Sequence, residues 1–157
     1  MNLEELRREI DHIDADIVRL LNKRTEFAVQ IGHIKKTENI PVFVPGREQK
    51  LLSRLGELNG GPLPQESLRH IYREIISAAR SIEGGLIVAH TASSAAAART
   101  KFGGSVSYLR CTSPAEAKKA IGSRAQLAVL PARWSNGNAI DEFDNGGKRF
   151  AVLAETK

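Results

Sequence analysis

Residues 3–36 read LEELRREIDHIDADIVRLLNKRTEFAVQIGHIKK. Leu3, Leu6, Ile10, Ile13, Ile17, Leu20, Arg24, Phe27, Ile31 and Ile34 recur there at alternating spacings of three and four. That is a heptad seam held for almost five repeats, and nothing before Gly32 interrupts it. The stretch predicts one helix from residue 3 to about 36, roughly 50 Å long at about 1.5 Å per residue. An apolar stripe of that length outruns what the neighbouring segments can cover. A second copy of the chain is the simplest cover, so the seam predicts a homodimer.

Working outward, Pro41 and Pro45 place a loop over residues 37–45. A short helix follows from about Arg47 to Leu58, carrying Leu51, Leu52, Leu55 and Leu58, and Asn59-Gly60-Gly61-Pro62 stops it. A third helix is expected from Pro64 or Gln65 to Glu83, with Leu68, Ile71, Tyr72, Ile75, Ile76, Ala79 and Ile82 on one face. Gly84-Gly85 ends it and marks a boundary between residues 1–83 and 84–157. Past the glycines the period changes. Strands are expected at 86–89, 105–109, 126–130 and 149–153, with helices at 94–102 and 115–121. Ser113-Pro114 supplies the N-cap and first position of the latter helix. The fold class is therefore α+β with two domains: a three-helix, all-α unit in 1–83 and a small, largely parallel α/β unit in 84–157.

Composition narrows the function. The formal charge is +5, yet residues 1–83 hold 13 basic and 13 acidic side chains, so the surplus lies in residues 84–157, with 10 against 5. That excess is small and lacks interleaved aromatics, so nucleic acid is not an expected partner. Cys111 is the single cysteine, which excludes an intramolecular disulfide and fits a reducing compartment. No signal peptide opens the chain, and no apolar run approaches the roughly 20 residues of a membrane span. A cytoplasmic protein with no membrane partner is the expectation.

Several positions break their own patterns. Arg24 is the one charged residue among the ten seam positions, so it must meet an anion there, either a partner-chain carboxylate or a ligand. Lys35 follows 11 residues later, about 16 Å along the same side, where two long cations could close on a small polar ligand. Arg7 flanks the seam but lies 17 residues before Arg24, roughly 25 Å away, and could join that ligand only from a second chain. Arg47 and Glu48 open the second helix, where an acid also complements the helix dipole. Glu83 falls on the buried face of the third helix, either exposed by fraying or held neutral as a hydrogen-bond donor. The four histidines show no ligand spacing, so no metal is expected. No nucleophile motif or phosphate loop occurs in residues 1–83. Converging cations with one or two carboxylates suit a dianionic substrate and a reaction run by positioning and electrostatics.

The order of these residues resembles a family. Leu6-Arg7, Asp14, Leu21-Asn22-Lys23-Arg24, Gly32-His33-Ile34-Lys35, Pro45-Gly46-Arg47-Glu48 and Ile71-Tyr72-Arg73-Glu74-Ile75-Ile76-Ser77 resemble the all-helical chorismate mutases, especially the mutase domains fused to prephenate dehydratases. The resemblance implies an intertwined dimer that converts chorismate to prephenate by a [3,3] rearrangement with no cofactor, in aromatic amino acid biosynthesis. It implies that Arg24 and Arg7 of opposite subunits bind the two substrate carboxylates. Lys35 would hold a carboxylate and the ether oxygen, Glu48 would accept from the ring hydroxyl with Arg47 in support, and a protonated Glu83 would donate to the ether oxygen. Val44 takes a substrate-facing position where the family commonly has a polar or charged residue, Ala79 one where some members have a serine, and many members have glutamine at Glu83.

Residues 84–157 resemble part of a prephenate dehydratase. Lys148-Arg149-Phe150 stands in place of that family's Thr-Arg-Phe, so the resemblance implies a shortened, inactive unit with at most a binding or interface role. Two rivals stay open: isochorismate pyruvate lyase, which uses a similar helical dimer and cation set, and a non-catalytic helical dimer presenting an α/β ligand sensor.

Overall fold

A computed structural model of the chain describes residues 1–155. Helix α1 spans Leu3–Glu38. The Asn2 side chain accepts from the Glu5 backbone N–H at 2.9 Å, and the Glu5 carboxylate accepts from the Asn2 N–H at 2.8 Å. This reciprocal cap fixes where the helix begins. It ends at Asn39, whose left-handed backbone (φ 55°) turns the chain back. Of the 36 residues in α1, Ala28 and Gly32 are buried, and both lie in its C-terminal third. There α1 packs against α3 (Gln65–Glu83), while α2 (Arg47–Leu58) closes over α3 from the other side of the 39–46 loop. The apolar seam of α1 is open in the single chain along its whole length, with Leu3 62%, Ile13 57% and Ile34 53% exposed.

Five strands follow: β1 (Ile87–His90), β2 (Ser107–Arg110), β3 (Leu127–Pro131), β4 (Asp141–Asn145) and β5 (Lys148–Ala154). They form one sheet in the order β2-β1-β3-β5-β4. β1 runs parallel to β2 (Val88 opposite Tyr108) and to β3 (Ala89 opposite Ala128). β5 runs antiparallel to β3 (Val129 opposite Val152) and to β4 (Phe143 opposite Phe150). Side chains alternate between faces. One face carries Val88, Leu127, Val129 and Val152 beneath α4 (Ala95–Phe102), and the other carries Ala89, Ala128, Leu130 and Leu153 beneath α5 (Pro114–Ala120).

The three helices and the α+β class agree with the expectation. The sheet differs in two respects, being mixed rather than largely parallel and having one strand more. β4 reads Asp-Glu-Phe-Asp-Asn, too polar to signal a strand. It forms because Gly146 and Gly147 both take positive φ (57° and 73°), closing a two-residue hairpin onto β5 and turning β5 antiparallel. The α4 expectation also shifts, since residues 92–94 form a 3₁₀ turn and regular helix starts at Ala95. No helix among the described residues is long and apolar enough to cross a membrane.

The first face of the sheet is not closed by its own unit alone. Phe43, in the loop between α1 and α2, belongs to the same buried cluster as Val88, Ala97 and Phe102. Further along α3, the Glu74 carboxylate accepts from the Gly104 N–H at 2.9 Å and the Ser77 hydroxyl from the Ser105 N–H at 3.0 Å. Gly103 (φ 77°) leaves the space this approach needs, because a Cβ there would stand 2.6 Å from that of Ser77.

Candidate active site

A cavity of about 400 Å³ opens between the C-terminal third of α1, the 39–46 loop, the start of α2 and the end of α3. Arg24, Lys35, Val44, Arg47, Glu48, Ala79 and Glu83 all line it, although in sequence they are spread over 60 residues. Phe27, Ala28, Ile31, Leu51 and Ile76 supply apolar walls.

Local folding explains how each charge arrives. Gly32 lets the two helix backbones touch, since a Cβ there would lie 2.4 Å from the Glu83 carbonyl oxygen and 2.7 Å from its Cα. Lys35 is one turn further on. Its ammonium donates to the Glu83 carboxylate at 2.5 Å and to the Val42 carbonyl at 3.0 Å, with both side chains largely buried. The left-handed Gly46 (φ 78°) starts α2 so that Arg47 and Glu48 fall in the cavity lining.

Arg7 is not in the cavity. It lies at the far end of α1, exposed, and pairs with Glu4 one turn earlier at 2.8 Å. A pair that exposed contributes little.

One charged residue of the site is absent from the apolar-face reading of α3. Arg80 is 7% exposed and lines the cavity. Its Nη2 donates to the Glu48 carboxylate at 2.8 Å, and its guanidinium carbon sits 5.2 Å from the Phe43 ring centre and 5.4 Å from that of Phe102. A signal was available. Arg80 follows Ile76 by four residues, so it interrupts the buried stripe of α3 as Arg24 interrupts the seam of α1.

Arg24, Lys35, Arg47 and Arg80 thus face two carboxylates, Glu48 and Glu83, leaving an excess of two formal positive charges. Arg24 and Arg47 have no ion-pair partner among the described residues. The arrangement is a helical site with a net positive lining that holds no serine, cysteine or histidine.

The family model for chorismate mutase type II matches residues 6–84, and the chain belongs to that family. It is 43% identical over 138 residues to a bifunctional chorismate mutase/prephenate dehydratase of Aquifex aeolicus, covering 82% of this chain and 38% of that protein. A protein of the same description from Neisseria gonorrhoeae is 34% identical over 155 residues, covering 96% of this chain and 41% of the relative. The chain therefore spans about two fifths of the length of these relatives, and the similarity runs past the helices into the sheet. A solved chorismate mutase (form II) from Thermus thermophilus superposes with a TM-score of 0.50 at 33% identity, covering 52% of this chain and 92% of that one.

Proposed function

We propose that this chain rearranges chorismate to prephenate, and that it does so as a cytoplasmic homodimer whose sites combine residues of both subunits. The observation that carries the reading is the two-charge cationic excess of a cavity lying wholly within the segment matched by the mutase family. Chorismate is a dianion. Its rearrangement breaks one C–O bond and forms one C–C bond within a single molecule, so the protein has no proton or group to transfer covalently. Its task is to bind the compact conformer and to stabilise charge growing on the ether oxygen.

In this reading Arg24 and the partner's Arg7 each take a carboxylate, Lys35 reaches the ether oxygen, and Glu48, flanked by Arg47, accepts from the ring hydroxyl. Glu83, parted from Lys35 by the substrate and protonated, donates a hydrogen bond to the ether oxygen. Val44 and Ala79 shape the apolar wall. Two features support the shared site. The apolar residues of the seam are exposed in the single chain from Leu3 to Ile34. Arg7 stands about 25 Å from Arg24 on the same helix, beyond the reach of one small ligand. The sheet unit receives no reaction of its own, and Arg149, in its Lys148-Arg149-Phe150 segment, is committed to Glu142 and Asp144 at 3.1 Å each.

The test follows chorismate loss and prephenate formation with purified protein, beside isochorismate as the competing substrate. Pyruvate release from isochorismate, with chorismate untouched, would transfer the assignment to the lyase. For the dimer, inactive Arg7→Ala and Arg24→Ala proteins should regain activity when mixed under subunit exchange. Each hybrid has one site with both arginines intact. Silence despite demonstrated exchange would refute the shared site.

A further inference from the structure

We infer that the sheet unit is a working part of the mutase site: Phe102 of α4 holds Arg80 in place, and Arg80 in turn orients Glu48 towards the substrate. The inference rests on the mutase reading above and names two positioning residues that reading does not contain.

Three observations converge on it. First, α3 has two committed faces. Ile76, Ala79 and Glu83 line the cavity, while Glu74 and Ser77 grip the Gly104 and Ser105 N–H groups just past α4. Residues 74, 77 and 80 step by three along one side of the helix, so Arg80 is the next point of the same attachment. Second, Arg80 joins the two faces. Its guanidinium completes a near-equilateral triangle with the rings of Phe43 and Phe102, which are themselves 5.3 Å apart at 68°. Phe102 is fully buried and belongs to the core of the sheet unit. A planar guanidinium against aromatic rings is held in direction as well as position, which a lysine could not reproduce. Third, the held group points at a functional one. Nη2 of Arg80 takes Oε2 of Glu48, while Oε1 of Glu48 has no hydrogen-bond partner among the described residues and is left to a ligand.

Such a path has a kinetic signature. A ring hydroxyl contacted by Glu48 is the same in the ground and transition states, so misplacing Glu48 should raise KM and spare kcat. Damage to the fold does the reverse, reducing the number of active sites and hence the apparent kcat.

The experiment compares the full chain with Phe102→Leu, Glu48→Gln and the double variant, and uses Leu130→Ala, on the opposite face of the sheet from Phe102, as the control for a weakened sheet core. Phe102→Leu should raise KM for chorismate about tenfold at nearly unchanged kcat, and in the Glu48→Gln background it should add nothing further, because the two changes share one path. Leu130→Ala should lower Tm and leave KM alone. If Phe102→Leu does not fold, Phe102→Met replaces it in the same cycle. Losses that multiply in the double variant, or a Phe102 effect confined to kcat, overturn the inference while the mutase reading stands. A wild-type chain that leaves chorismate unchanged overturns both.

Discussion

Replacing Gly32 with alanine should damage activity far more than stability. The new Cβ would stand 2.4 Å from the Glu83 carbonyl oxygen, 2.7 Å from its Cα and 2.9 Å from its carbonyl carbon. All three are backbone atoms, so no side chain can swing aside. Restoring ordinary contact needs about 1 Å of separation between α1 and the end of α3. Alanine gains about 1 kcal/mol of helix propensity over glycine. Overpacking costs about 1–3 kcal/mol, so the net loss is about 1 kcal/mol and Tm should fall by roughly 2–4 °C. The same displacement moves the Glu83 carboxylate relative to Lys35 and Arg24, and a misplacement of about 1 Å can cost about 10²-fold in rate. The measurements are thermal unfolding by circular dichroism and kcat/KM for chorismate. Gly56→Ala serves as the comparison, because its Cβ would meet only the end of the Gln65 side chain, which can move, and activity should be kept. A Gly32→Ala protein with near-wild-type kcat/KM would refute the claim that helix contact at this glycine sets the Lys35–Glu83 geometry.

Arg24→Ala and Lys35→Ala should each lower kcat/KM by about 10²–10³-fold with the helical spectrum retained, since removing one preorganised charge from an active site typically costs that much. Wild-type rates in either folded variant would remove that residue from the site. Cys111 should resist alkylation in the native protein, because it is buried, and both burial and the nearby Glu116 carboxylate push its thiol above the usual range. The thiolate fraction is then lower at any given pH, so iodoacetamide labelling at about pH 8, near the ordinary thiol pKa, should be much slower than in denaturant. Equal rates would mean that α5 opens readily from the sheet.

The helical part was legible because its signals are periodic and its breaks are chemical. A seam repeating every three and four residues leaves one reading for α1, and a lone arginine within it already demands an anion. The carboxylates were legible by position, but their partners were not. Periodicity places Arg80 beside the apolar stripe of α3 without saying that Glu48 comes from another helix to meet it. The contact depends on the path of the 39–46 loop, which the sequence marks only by its prolines. β4 was illegible for a different reason. Its polar residues carry no strand preference, and a glycine pair pulls it into the sheet from outside. Likewise, nothing in the local pattern around Phe43 distinguishes a loop residue from a member of the sheet core, because that burial comes from a segment about 60 residues away.

Two faces of α1 pose opposite problems, and the mutase proposal gives them one solution. In the C-terminal third, Ala28 and Gly32 are small enough for α3 to lie directly on the helix, which brings Lys35 to Glu83. The seam beside them stays large and exposed in the single chain to its C-terminal end, with Phe27, Ile31 and Ile34 exposed as Leu3 and Ile13 are. Had Ala28 and Gly32 been large, α3 could not approach closely enough to seat Glu83 beside Lys35. Had the seam been small as well, it would offer a second copy no apolar face, and in the proposed dimer Arg7 would have no cavity to enter. The difference in size between these two neighbouring faces of α1 thus separates what folds the site from what would complete it, and Arg24 stands on the seam next to Ala28, where a charge can serve both.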